Sequence, residues 1–418
     1  MVRCSHFGRY TDIVDFLQLA MALSAAALAF ALIDDSSSDS STSSDSSSSD
    51  EERKELYELF FRKAFLQPTR KRPRIEGYID GVVRMLSDEQ FRRKFRVSRS
   101  LVADLCNGFE TSPMYPRGDN GGLPAKTPEE HVLAFLWYAA NKACIRDVAI
   151  RFGMAEATTF RVVERIMSYL VKMAKTVITF PDDLEQLSTE LEQVSGVPGA
   201  VGCIGECYVS THCPPHKVPL TNKNRHNFPS VTVQAVCDHK KKFLDVAVGN
   251  PTTIHDSRIF HKTGLARKLP RICTQGDFHV LGDSTYPLRR FLLTPFRNTV
   301  MLTPSQIAFN TKVCAARVGT KDAFVDLKAR FRQLRHVDFF IVDKVKKFIL
   351  ACCVLHNLCI DSGDTTAPPI PNDEADNTEW HNLPVDRSER FGPLTAWETA
   401  LCCQGEQKRE RVMQAMNL

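Results

Sequence analysis

Apolar residues recur at helical spacing over 78–177, and from Gly199 onward the pattern changes to the alternation and short apolar runs of strands. Within the first stretch, Thr127-Pro128-Glu129-Glu130 puts Thr at an N-cap, Pro at the first helical position and Glu at the third. That is a capping box, and it opens an apolar helix over 131–140. A short helix over 145–152 sets Ile145, Val148, Ala149 and Phe152 on one face. Gly153-Met154 then makes a turn, and a longer helix runs over 155–173. Short helix, glycine turn and longer helix is the order of a helix-turn-helix, whose second helix enters the major groove. On that reading Thr158, Thr159, Arg161 and Arg165 are exposed DNA contacts; a plain helical bundle uses the same turn and stays open.

Strands are predicted over 200–210, 230–238 and 242–248, with His239-Lys240-Lys241-Lys242 joining the last two. A helix near 256–269, a strand over 278–281 and helices over 313–334 and 342–360 follow. Three meandering strands and then alternating helix and strand predict an α/β (α+β) fold, a mixed sheet flanked by helices and preceded by an all-helical region.

The pattern also divides the chain. Residues 1–33 end in an apolar Ala/Leu run; its 19–33 stretch with 13–18 nearly reaches membrane-spanning length. Asp15 and Gln18 interrupt it, so it reads as a helix packing on the body rather than a membrane anchor. Residues 34–54 are an acidic Ser-rich linker that offers nothing apolar to offset chain entropy. A helical, helix-turn-helix-like region over 55–185 precedes a mixed-sheet domain over 195–361. A loose Pro- and acid-rich linker over 362–386 and a helical segment over 387–418 complete the chain.

Charge adds a partner. The net +5 conceals an acidic run from Asp34 to Glu52 with five Asp, two Glu and no base, so the rest of the chain carries +12. A body that basic favours a polyanion. Thr69-Arg70-Lys71-Arg72-Pro73-Arg74 reads as a nuclear localisation patch or a phosphate-contacting arm, with a solvated charge run as the bland alternative. The 14 cysteines include the adjacent pairs Cys352/Cys353 and Cys402/Cys403 and lack the framework of a small secreted domain, so they read as reduced intracellular thiols.

Acids at strand ends of such a sheet are where magnesium binds, because a hard cation takes carboxylate oxygens. Asp283 directly follows an apolar strand and Asp256 stands beside His255 at a helix start; each is equally a cap or turn residue. Cys203, Cys207, His212, Cys213 and His216 crowd one stretch, but their spacing is not that of a zinc finger.

A longer series of residues is more specific. Gly202-Cys203-Ile204, Gln234-Ala235-Val236-Cys237-Asp238, Gly249-Asn250-Pro251 and His255-Asp256-Ser257-Arg258 come first. Leu281-Gly282-Asp283-Ser284, Phe309-Asn310, Arg317 and Leu355-His356-Asn357 follow in order. From about Phe60 to the end, this series resembles the PIF/Harbinger transposase-derived nucleases, a DDE superfamily with a ribonuclease H-like catalytic fold. The resemblance implies a divalent metal, Mg or Mn, held by Asp256 and Asp283. It also implies DNA as substrate, chromatin or a Myb-like protein as partner, and the nucleus, with the cytoplasm besides, as location.

Two of the four acids that the family uses are replaced. Its first Asp follows an Ile, and here Ile204 is followed by Gly205; its Glu lies four residues after the Arg that matches Arg317, and here that position is Lys321. Glu206 and Asp322 are the adjacent candidates for substitution. One step along a strand turns a side chain to the opposite face, and one step along a helix turns it by about 100°. Three readings follow: a domesticated DNA- or chromatin-binding protein with impaired cleavage, an active metal-dependent endonuclease, and a non-catalytic protein-interaction scaffold.

Overall fold

A computed structural model of the chain describes residues 73–117, 125–211, 230–250, 260–297, 301–339, 341–364 and 395–416. The chain divides into two units, Met1–Pro73 and Arg74–Leu418. The apolar 13–33 run, the Ser-rich tract and Arg70, Lys71 and Arg72 lie outside the described residues. No helix among the described residues is long and apolar enough to cross a membrane.

The helical part of the second unit comprises α1 (Asp88–Phe95), α2 (Arg99–Thr111), α3 (Pro128–Asn141), α4 (Ile145–Arg151), α5 (Glu156–Val177) and α6 (Leu184–Ser195). The capping box at α3 is present: the Glu130 amide donates to the Thr127 hydroxyl at 3.1 Å, and the Thr127 amide donates to Glu130 at 2.8 Å. Ser87 and Gln90 make the same reciprocal pair at α1. Gly153 closes the turn between α4 and α5 at φ +64, a left-handed conformation that glycine adopts without steric cost.

Five strands form one mixed sheet in the order β3-β2-β1-β4-β5: β1 (Ala200–Ser210), β2 (Ser230–Cys237), β3 (Phe243–Asn250), β4 (His279–Leu281) and β5 (Leu292–Leu293). β1, β2 and β3 pair antiparallel, and β4 and β5 run parallel to β1, which is a ribonuclease H-like sheet. Every residue of β2 is buried, because β2 is an interior strand and both its faces are covered. The helices of this part are α7 (Leu265–Cys273), α8 (Pro304–Arg330), α9 (Val342–Asp361) and α10 (Ala396–Ala415).

The sequence boundaries shift most at two helices. α7 continues past 269 to Cys273 with Pro270 inside it; near a helix end the missing amide costs a single bond. α8 starts nine residues before 313, at a second Thr-Pro box in which Thr303 caps and Gln306 reciprocates. α6 and the two-residue β5 were not anticipated individually, and Asp183 caps α6 with its side chain on the Gln186 amide.

One apolar cluster joins α1 to α5 with α9, one face of the sheet and α8; Phe135, Tyr138 and Phe348 pack edge to face within it. The opposite face packs on α7, with Ile204, Val236, Leu244, Phe260 and Tyr286. α10 covers the β5 edge. Its buried Lys408 donates to the carbonyls of Asp277 and Phe278, and Arg409 donates to Thr294 O and lies over the Phe296 ring at 3.8 Å. Covering an edge strand blocks edge-to-edge association.

Two histidines are buried in the neutral state. Burial lowers His356 to about 4 and His279 to about 3. An unfolded chain takes up these protons near pH 6.5, the folded chain only at much lower pH, so stability is full above pH 6.5 and declines as pH falls towards 4. His356 alone makes this loss on the order of a few kcal/mol by pH 4. Urea midpoints measured between pH 7.5 and pH 4.5 should fall steadily. A shallower fall in His356→Gln than in the unaltered chain would assign the difference to His356, with His279 accounting for the slope that remains.

Candidate functional site

β1 lies at the centre of the sheet and α8 crosses the face to which Gly205 belongs. A Cβ on Gly205 would stand 2.9 Å from the Thr320 methyl, with Phe324 at 4.0 Å. The hydroxyl of the same threonine donates to the Cys203 carbonyl at 3.1 Å, so α8 is seated on β1 by the residue that fills the space above Gly205.

Asp283 follows the end of β4, on the same side. Its Oδ2 accepts from Arg317 Nη2 at 3.0 Å, and its Oδ1 accepts from the Thr285 amide at 2.8 Å and from the Thr285 hydroxyl. The pair is half-buried, with side-chain exposures of 31% for Asp283 and 15% for Arg317. Lys321 lies four residues beyond Arg317, one turn along the same stripe of α8. The structure therefore brings Gly205, Asp283, Arg317 and Thr320 together, with Lys321 in the adjoining turn. Asp256 lies outside the described residues.

The two neighbouring acids lead elsewhere. Glu206 pairs across the ladder with Gln234 on the opposite face, where Gln234 donates to the Tyr286 hydroxyl at 3.2 Å. Glu206 accepts from the Tyr208 hydroxyl at 2.9 Å. Asp322 lies two residues past Thr320, about 200° around the helix from the sheet-facing direction.

The family's divalent cation does not fit these residues. Gly205 supplies no carboxylate, the space for its side chain is filled by a methyl, Lys321 brings an ammonium, and Asp283 has both oxygens engaged by Arg317 and Thr285. Among the described residues no three His, Cys, Asp or Glu side chains converge to hold a metal ion. Cys203 and Cys207 share a face as strand alternation requires, and burial pushes their thiols up to about 12 and about 11, as for core cysteines. His212, Cys213 and His216 lie outside the described residues.

The α5 surface needs one correction. Thr159 is fully buried and its hydroxyl donates to Ala155 O at 3.1 Å, so it is no exposed contact. It falls on the 159, 162, 163, 166 stripe that faces the core, and a threonine there reads as polar in sequence yet packs as a valine would. Thr158 is half-buried and Arg161 exposed. Arg165 donates to His131 Nε2 at 3.4 Å; the buried His131 can accept because its Nδ1–H is committed to Thr127 O at 2.9 Å, and burial keeps its pKa low.

Comparison with known proteins agrees with this fold. Residues 212–357 match the DDE superfamily endonuclease family. The chain is 27% identical over 303 residues to an ALP1-like protein of Arabidopsis thaliana, covering 67% of this chain and 73% of that one. It is 27% identical over 285 residues to HARBI1 of Homo sapiens, named as a candidate nuclease, with 65% and 80% covered. It is also 26% identical over 304 residues to the Arabidopsis thaliana protein named antagonist of like heterochromatin protein 1, with 68% and 76% covered. No solved structure matches.

Proposed function

The chain carries a DDE superfamily endonuclease domain of the Harbinger transposase-derived kind, and from that premise we propose that it is a domesticated nuclear protein that binds DNA or chromatin and no longer cleaves it. The observation that carries the reading is the closed position at Gly205, where the Thr320 methyl stands 2.9 Å from any Cβ. A site that has lost one acid can regain it by drift, but a site whose space is packed by a neighbour has been rebuilt without the acid. Lys321 supports the same reading, since an ammonium takes the charge and the room of a cation.

DNA binding rests on the basic body and on the short helix, glycine turn and long helix formed by α4 and α5, with Arg161 and Arg165 as phosphate or base contacts. The chromatin association rests on the name of the heterochromatin-antagonist relative. The Ser-rich acidic tract and the Arg70-Lys71-Arg72 arm would add a regulated tail and a nuclear address.

Supercoiled plasmid incubated with the full chain in Mg²⁺ and in Mn²⁺ should stay intact. Relaxed circles that vanish in Asp283→Asn would overturn the proposal. The same protein should retard duplex DNA with a steep salt dependence. Arg161→Ala and Arg165→Ala should each lower the slope of log affinity against log salt by about 1, whereas Thr159→Ala should change stability and leave affinity alone.

A further inference from the structure

The solvent side of α5 carries one sign of charge along its length. Arg161, Arg165, Ser168, Lys172 and Lys175 follow one another at steps of four and three residues, the spacing that keeps side chains on a single stripe of a helix. Arg161, Lys172 and Lys175 are exposed and Arg165 is half-buried. From 161 to 175 the stripe extends about 21 Å.

Neither acid of α5 answers this charge. Glu164 is taken by Lys344 of α9 at 3.1 Å, and Lys344 is itself seated over the Phe160 ring; Glu156 is tied to Arg146 of α4 at 3.3 Å. Lys172 and Lys175 make no ion pair or hydrogen bond among the described residues. Arg161 spends one donor on the Ala157 carbonyl and Arg165 one on His131, and a guanidinium has five. Same-sign neighbours at these spacings destabilise a helix, so the stripe opposes the element that carries it, and a bound polyanion relieves the repulsion. The first turn of α5, which in a helix-turn-helix meets the bases, is built differently. Glu156 is paired, Ala157 has no polar group and Thr159 is buried, which leaves the half-buried Thr158 hydroxyl alone for a base edge.

We propose that α5 binds duplex nucleic acid lengthwise, with Arg161, Arg165, Lys172 and Lys175 on backbone phosphates and no reading of sequence. The inference rests on the DNA-binding reading above and names its mode and two further contacts. Phosphates recur every 3.4 Å along each strand, so about 21 Å of stripe faces about six of them. Contacts to phosphate fix position and carry no sequence information. A single strand is held by stacking its bases on aromatic rings, and the stripe has none, so its chemistry fits a duplex.

Fluorescence anisotropy of labelled duplexes with the full chain tests it. Selection from a random duplex pool should return no common sequence, and unrelated duplexes of equal length should bind within about 3-fold of one another. Lys172→Ala and Lys175→Ala should each lower the slope of log affinity against log salt by about 1. Lys172→Glu with Lys175→Glu should weaken duplex binding by ~10-fold or more, whereas Lys172→Arg with Lys175→Arg keeps the charge and should stay within about 2-fold of the unaltered chain. Both side chains are exposed, so neither pair should move the melting temperature. A recovered motif bound about 10³-fold more tightly than the pool would mean that bases are read, and would overturn the proposal. Single-stranded DNA or polyglutamate displacing the duplex at equal charge would put a different polyanion on the stripe, with the same result. A chain that binds no duplex at all removes the DNA reading as well, whereas duplex affinity that survives the double charge reversal removes this inference alone.

Discussion

Gly205→Asp, Thr320→Ser and Lys321→Glu introduced together are expected to give a chain that nicks supercoiled plasmid in Mg²⁺ or Mn²⁺, while Gly205→Asp with Lys321→Glu alone should lag it by about 10²-fold. The difference lies in one methyl. An aspartate at 205 must place its Cβ where the Thr320 methyl now leaves 2.9 Å, so in the double variant either α8 or β1 is pushed aside. Displacement of that size at a reacting centre is what costs two orders of magnitude. Serine removes the methyl and retains the hydroxyl that donates to Cys203 O at 3.1 Å, so the anchor of α8 survives. Replacing Lys321 by a carboxylate restores an acid one turn from Arg317 and converts a repulsive charge into a ligand. Equal nicking by the double and triple variants would show that Thr320 obstructs nothing. Equal nicking by the unaltered chain would remove the ground for calling the site closed.

The elements best read from sequence were those whose signal is local. The 200–210 strand and the Thr127 capping box were legible because alternation and cap chemistry depend on residues within one turn or one pleat. The start of α8 carries the same Thr-Pro-x-Gln grammar at Thr303, and it was passed over because no strong apolar stripe follows it: the helix buries Phe309 and Val313 and then a mixed set including Thr320, Lys328 and Arg330. The loss of acids at 205 and 321 could be read from the family pattern, but not the role of Thr320. A threonine on a helix carries no mark of lying over a glycine of a strand more than a hundred positions earlier. Thr159 failed for a related reason, since a helical wheel assigns polar residues to solvent unless the stripe on either side of them is weighed.

The Leu355-His356-Asn357 motif, one of the most specific in the sequence, serves the architecture. Asn357 Oδ1 accepts from the Phe243 amide at 2.9 Å, and its Nδ2 donates to Phe243 O at 2.8 Å and to Val177 O at 3.0 Å. One fully buried amide thus ties α9 to the first residue of β3 and to the last residue of α5. Asn310 makes the same two-way clasp on Phe296, with bonds of 2.7 Å and 2.9 Å, at the α8 side of the sheet. Asn357→Leu keeps the volume and leaves an amide and two carbonyls without partners, each at a cost of about 1–3 kcal/mol. The expected loss is about 4 kcal/mol, a large share of the 5–15 kcal/mol that holds a typical domain, with the melting temperature lower by about 10 °C. Asn357→Asp should be worse still, because it keeps the acceptor for the Phe243 amide but buries a carboxylate against two carbonyl oxygens. A thermal melt of Asn357→Leu within about 2 °C of the unaltered chain would mean that the three backbone groups find other partners, and that the joint between the helical region and the sheet is held by apolar packing alone.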